Sequence, residues 1–291
     1  MTALTPRTLH RLSLLAILAC SVSPRVVHAQ AAARPEFVQQ ILFVAPFKTT
    51  GDRRLGLRVA DEMRGALRRT GDRRQLAVVG SDSAERMLKA GGFPRAEEAR
   101  ELDVVWVARL SRADEVLVGE VRPTGDTLEV RATLVLVRDP RVREPLPPVR
   151  GVGAEQAANA LARMVVRARA QSDDVRRCEN LARASSVGPA IRAAERAIAA
   201  FPTSLLARNC LVRILATQPG LQDSVLRVAA YLIARDSLNI IAHTMRARAL
   251  VGANAVTAWQ RVVYLKPDSV ELGLEAVETF LRLGRPETAL Q

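Results

Sequence analysis

In the last third of the chain, small and apolar residues recur at a fixed spacing. Ala190, Ala194, Ala197 and Pro202 stand four, three and five residues apart, and Ala255, Trp259, Val262 and Pro267 repeat those steps. Val225, Ala229, Leu232 and Ser237 repeat them with serine in place of proline, and Ala289 opens a fourth copy. The starting positions lie 35, 30 and 34 residues apart, averaging 33. Steps of four and three keep side chains on one face of an α-helix, and a proline past the last turn stops the helix and returns the chain. Such a period predicts stacked helix pairs, each hiding its apolar face only against its neighbours. An aromatic content of 3% fits contacts made by Ala, Leu and Val.

The first half follows another pattern. Ile41 to Phe47 is a nearly continuous apolar run, as in a strand buried on both faces. Thr49-Thr50-Gly51-Asp52 breaks it, and Leu55, Val59, Met63 and Leu67 then mark an amphipathic helix from Arg54 to about Arg69. Leu76 to Val79 reads as a second strand, Ser81 or Ser83 as the cap of a helix into Leu88, and Ala96 to Leu110 as a third helix. Glu115 to Val121 and Leu128 to Val137 alternate with period two around Pro123-Thr124-Gly125-Asp126, which predicts a hairpin. Pro140, Pro145, Pro147 and Pro148 mark residues 139–153 as an extended linker or edge segment. Ala154 to Ala170 follows as an alanine-rich helix that could close the first domain. The expected fold is therefore α/β, a mixed sheet with flanking helices over residues 30–138, followed by an all-α helical-repeat solenoid over residues 154–291.

Two resemblances follow from these residues. The stretches Ile41 to Asp52, Leu55 to Leu67, Leu76 to Val79 and Val116 to Val137 resemble, in order, the TolB amino-terminal-like domain, whose fold is related to the curli-secretion lipoprotein CsgG. That resemblance implies a periplasmic interaction or assembly domain with no catalytic position among the matched residues. The 33-residue register resembles tetratricopeptide repeats, although Arg208 and Gly273 stand where a large aromatic is favoured, and the 30-residue copy needs a shortened turn near Gly252. It implies a protein-binding face lined by the first helix of each pair. Carried across, the register nominates Asn209, Arg213, Thr244, Arg248, Glu271 and Glu278, without the full basic clamp for a peptide carboxylate. Because the fourth copy only begins at Ala289, Leu274, Val277 and Leu281 are expected to lie uncovered; a truncated reading, an unpaired capping helix or a partner on that face would each account for it.

Residues 1–29 read as a secretory signal peptide. Arg7 and Arg11 precede the apolar stretch Leu12 to Ala19, which is far short of the roughly 18 residues that span a bilayer. Val27-His28-Ala29 satisfies the small-x-small rule, giving cleavage after Ala29. The alternative is the lipobox-like Ile17-Leu18-Ala19-Cys20, which would anchor a lipoprotein through Cys20. Either address is extracytoplasmic, periplasmic or secreted, with no transmembrane span in the mature chain and with peripheral membrane association still open. An oxidising compartment permits a disulfide between Cys178 and Cys210; two buried free thiols are the alternative.

Net charge +13 suggests a polyanionic partner until it is divided. Residues 1–29 contribute +3, residues 30–150 +4 and residues 151–291 +6, and only three of the 43 basic residues are lysines. Nucleic-acid modules concentrate charge and interleave stacking aromatics, so no nucleic-acid partner is expected. The one cluster, Arg53 to Arg74, offsets eight arginines with Asp52, Asp61, Glu62 and Asp72 and reads as a solvated helix face, with Arg54, Arg58 and Arg68 off its apolar side. His243 is the sole histidine after the leader, which removes Ser-His and Cys-His arrangements and four-ligand zinc. Phosphate-loop, dinucleotide, zincin and nucleophile-elbow motifs are missing, and Glu97, Glu98, Glu101 and Asp103 read as one polar helix face. No catalytic residue, metal or cofactor is expected. The functional expectation is a non-enzymatic interaction scaffold or assembly adaptor for a protein or peptide of the bacterial cell envelope. The alternatives are a lipid-anchored secretion component that oligomerises as CsgG does, and the ligand-sensing domain of a regulatory system.

Overall fold

The computed structural model describes residues 39–289 apart from 94, 96 and 97, so Cys20 and the cleavage after Ala29 lie outside the described residues. Strand β1, Gln40–Val44, takes the apolar run, and β2, Lys48–Thr49, continues beyond Phe47. Asp52 caps helix α1, Arg53–Thr70, accepting the Arg54 N–H at 2.9 Å. Gly56 lets α1 sit on the strand: a Cβ there would meet the Phe47 carbonyl oxygen at 1.9 Å. Strand β3, Leu76–Val78, and helix α2, Ser81–Ala90, follow. Helix α3 runs Glu101–Leu110 and starts later than the sequence pattern suggests, because the Asp103 carboxylate reaches back to the Arg100 N–H at 3.1 Å and caps the first turn there. Ala96 and Glu97 lie outside the described residues. Strands β4, Glu115–Thr124, and β5, Thr127–Leu136, form the expected hairpin, paired from Glu115↔Leu136 to Thr124↔Thr127.

The sheet order is β3-β1-β4-β5, with β1 parallel to both neighbours and β4–β5 antiparallel. Both faces of its centre are covered, which is why β1 is apolar without alternation. Leu42, Val44, Leu117, Val130 and Leu134 face α1, whereas Phe43, Val116, Val118 and Val135 face α2 and α3. The arginines of α1 are largely occupied by the fold. Arg64 is buried, its guanidinium bonding Asp61 at 2.5 Å and the Val44 carbonyl at 2.6 Å, Arg53 pairs with Glu98, and Arg68 reaches the Val78 carbonyl at 3.3 Å.

The proline-rich segment is not a free linker. It supplies β6, Arg143–Pro145, and β7, Val149–Gly151, both antiparallel to β5. Proline has no N–H for a ladder on both sides, so it is tolerated in an edge strand such as β6. Helix α4, Gly153–Arg169, packs on α1, and its Ala157, Ala158, Leu161, Ala162 and Val165 share the core of that sheet face. Arg169 at its end forms a buried ion pair with Glu115. The α/β half thus extends through Arg169, beyond the boundary expected at residue 138, and α4 belongs to it and not to the helical array. The joint is also packed: Phe201 enters the sheet core, and Leu136 and Val142 join the helical one.

The helical region consists of α5 Ser172–Arg183, α6 Val187–Ala200, α7 Leu205–Leu215, α8 Gln222–Arg235, α9 Ile240–Ala249, α10 Gly252–Leu265, α11 Val270–Arg282 and the short α12 Pro286–Ala289. Consecutive helices pack on one another, and α7 also touches α5 and α9. The buried residues of α6 include Ala190, Ala194 and Ala197, those of α8 are Val225, Ala229 and Leu232, and those of α10 are Ala255, Trp259 and Val262, so the sequence register is the packing register. Each register copy also ends in the same turn. The N–H groups of Phe201, Asp236 and Lys266 bond Ala197, Leu232 and Val262 at 2.8–3.0 Å. Three residues on, Ser204, Asn239 and Ser269 cap the next helix. Arg208, in place of an aromatic, joins α7 to α8 by stacking 4.1 Å over the Tyr231 ring, which Arg235 covers at 3.6 Å. Cys178 of α5 and Cys210 of α7 are joined by a disulfide.

Candidate partner-binding surface

Helices α7, α9 and α11 carry the six nominated residues, and capping fixes how each helix begins. Ser204 Oγ accepts the Ala207 N–H at 2.9 Å, Asn239 Oδ1 the Ala242 N–H at 3.0 Å, and Ser269 Oγ the Leu272 N–H at 3.4 Å. A common start sets a common phase, and so decides which side chains point outward. Arg213, Arg248, Glu271 and Glu278 are exposed. Asn209 and Thr244 are instead buried, 2% and 5% exposed, because their faces pack against neighbouring helices. The Asn209 amide has no hydrogen-bond partner for either polar atom among the described residues. Neither residue presents itself to a ligand, which corrects that part of the nomination.

Two of the exposed set, Arg213 and Glu271, lie within electrostatic reach of the turn between β5 and β6. Asp139 and Arg141 in that turn form a two-pronged ion pair at 2.8 and 3.0 Å. Burial pushes the Asp139 carboxyl up, but the hydrogen bond and charge of Arg141, together with the Arg213 charge, outweigh it and leave it below its ordinary value. Glu271 lies within electrostatic reach of both Arg141 and Arg248, whose guanidiniums are held above the ordinary range, first by their own partners Asp139 and Glu275. Arg248 grips Glu275 through two bonds of 2.7 Å. Arg213 is thus within electrostatic reach of Asp139, and Glu271 within reach of Arg141 and Arg248. Glu278 lies further along α11. These exposed side chains offer donors and acceptors to a polar segment of a partner.

Sequence reasoning missed the residue that ties the two halves together. Glu144 of β6 is 0% exposed, and its carboxylate accepts the Leu205 N–H at 2.9 and 3.0 Å and the Leu206 N–H at 3.1 Å, at the amino terminus of α7. The Gln171 amide at 3.2 Å and the Ser204 hydroxyl at 3.4 Å complete its shell. Burial drives its pKa up to about 7 despite the four donors. A lone acid among prolines gave no sequence signal of this role. His243 is buried, its Nε2 lying 3.0 Å from the Ser237 carbonyl, and burial lowers its pKa. The stripe Leu102, Trp106, Leu110 was also missed, although the run Glu101–Leu110 is legibly apolar on both sides.

A second candidate is a cleft of about 550 Å³ over the part of the sheet that α3 leaves open, between Lys48, Glu120, Arg131, Arg143 and Arg235. Four of these are cations and one is a carboxylate, but Glu120, Arg131 and Arg143 are already paired with Arg122, Glu129 and Glu101. No group of three or more His, Cys, Asp or Glu side chains suited to a metal ion occurs among the described residues.

No protein-family model matches the chain, and no curated protein matches it. Among solved structures, the LpoB C-terminal domain from Salmonella enterica is similar at 18% identity and a TM-score of 0.30, over 40% of this chain and 84% of that one. No helix among the described residues is long and apolar enough to cross a membrane.

Proposed function

We propose that the chain is a non-enzymatic interaction scaffold of the cell envelope, in which a TolB amino-terminal-like α/β half carries a tetratricopeptide-like solenoid that binds a protein or peptide. The observation that carries this reading is the set Arg213, Arg248 and Glu271, exposed on successive first helices. The repeated turn and cap at Ser204, Asn239 and Ser269 support the solenoid, because one local structure at a constant place in each pair is what stacked repeats require. In this reading the signal peptide delivers the chain outside the cytoplasm, and the disulfide suits that compartment.

The reading is tested by capture from bacterial envelope fractions with the immobilised chain. An Arg213→Glu, Arg248→Glu double variant should lose the partners that the parent chain retains. Recovery of the same partners by both would overturn the assignment of this face.

A further inference from the structure

Two helices carry an apolar stripe on the side turned away from the core. On α3, Leu102, Trp106 and Leu110 follow one another in steps of four and are 71%, 51% and 65% exposed, while Val104, Val105, Val107 and Ala108 are buried against the sheet. On α11, Val270, Leu274 and Leu281 are 76%, 65% and 56% exposed, across the helix from buried Ala276, Thr279 and Phe280. Those steps confine each set to a narrow arc of its helix. A helix that is apolar on both sides belongs in a core or against a partner.

The edges of the two stripes differ in charge. Arg109 stands beside the α3 stripe and Arg112 follows two residues past the helix end, both exposed and neither in an ion pair among the described residues. Arg109 donates to the Val137 carbonyl at 2.8 Å, which positions the side chain without cancelling its charge. Beside the α11 stripe stand Glu271 and Glu278, exposed and likewise in no ion pair among the described residues. In a chain of net charge +13, α11 is a locally acidic element, with three glutamates to one arginine.

We propose that copies of this chain associate head to tail, the α3 stripe of one copy packing on the α11 stripe of the next, with Arg109 and Arg112 facing Glu271 and Glu278. Charge selects this pairing over its rivals. Two α11 stripes packed antiparallel would set Glu271 beside Glu278 of the other copy, and two α3 stripes would set arginine beside arginine. Each stripe is a single helix of 10 or 13 residues, about 15–20 Å long at ~1.5 Å per residue, and offers less than the ~800 Å² per partner of a stable complex. The association is accordingly weak and concentration-dependent. Because two different surfaces meet, every dimer keeps one unused α3 stripe and one unused α11 stripe, and assembly continues into a chain or closes into a ring.

The test is sedimentation of the full chain up to about 500 μM, a range in which an interface this small is populated. The parent chain is compared with Trp106→Glu and Leu274→Glu, alone and mixed, and with the milder Trp106→Ser and Leu274→Ser. Thermal unfolding of each variant is measured first, and whichever of each pair unfolds with the parent is used. The average mass of the parent should rise with concentration, while each variant alone remains a single chain. An equimolar mixture of the two should give a species of two chains and nothing larger, since only one productive interface survives. Arg112→Glu should weaken parental association about tenfold; mixed with Glu278→Arg it retains one parental interface, which gives a dimer, and the charge-swapped interface should extend that dimer beyond two chains. A parent that stays single throughout overturns the proposal. So does parent-like association of the Trp106 variant, which would mean α11 pairing with itself, or of the Leu274 variant, which would mean α3 doing so.

Discussion

Replacing Glu144 by glutamine should flatten a defined part of the pH dependence of stability. In the folded chain this carboxyl titrates at about 7, raised first by burial, against an ordinary value of 4.5 in the unfolded chain. Between pH 4.5 and about 7 the folded state therefore holds a proton that the unfolded state has released, and stability falls as pH rises through that window. At about 1.4 kcal/mol per pH unit, the gap corresponds to about 3 kcal/mol, present in full below pH 4.5 and gone above pH 7. The groups around the carboxyl do not reverse the sign: Gln171 and Ser204 are neutral, and Arg208, whose charge reaches Glu144, is spent on the Ser204 carbonyl and the Tyr231 ring. A glutamine keeps an acceptor for the Leu205 and Leu206 N–H groups, and its amide can donate to the Gln171 oxygen, a buried acceptor with no partner among the described residues.

Urea unfolding at pH 4.5, 5.5, 6.5 and 7.5, followed by circular dichroism and by the fluorescence of buried Trp259, measures the effect. The difference between parent and variant should open by about 3 kcal/mol in favour of the variant across that range. Taking the difference also cancels His243, whose lowered pKa gives the opposite slope, since the unfolded state there binds the extra proton. The depressed carboxylates Asp103, Glu129, Asp139 and Asp268 act below the window. A difference that stays flat to within about 0.5 kcal/mol would refute the reasoning, because a buried carboxyl cannot keep its proton without leaving this slope.

Three further pairs of substitutions test the packing. Gly56→Ala should cost about 1–3 kcal/mol in urea unfolding, because its Cβ would meet backbone at 1.9 Å, whereas Gly65→Ala meets only the tip of Arg69 at 3.3 Å and should stabilise α1 by about 0.5–1 kcal/mol. Opening the disulfide by Cys178→Ser with Cys210→Ser releases a loop of sequence separation 32 and should cost about 2–4 kcal/mol, read as a lower urea midpoint that reductant no longer shifts. Trp259→Ala should cost about 3–5 kcal/mol and Trp106→Ala, measured in dilute solution, less than about 0.5 kcal/mol, since the first ring is buried in the helical core and the second lies half outside the protein.

Much of the site's framework was legible because its signals are local. Proline or serine at positions 202, 237 and 267, with a cap two residues later, specifies a turn whatever surrounds it. Exposure was harder to read. Asn209 and Arg213 lie one turn apart on α7, yet the first is covered and the second open, and only neighbouring helices decide that. Hydrophobic spacing says which face is buried, while the width of the buried arc depends on how many elements reach it.

Most of the element order, the hairpin and the helical register are written in the residues themselves, since periodicity and turn chemistry act over a few residues. What the proline-rich segment does depends on its packed neighbours. Prolines predict extended backbone, and extended backbone is equally a linker or an edge strand until a partner strand is present. Here β5 was present, β6 paired with it, and Glu144 was carried under the amino terminus of α7, where four donors hold a carboxylate that sequence alone would have left in water.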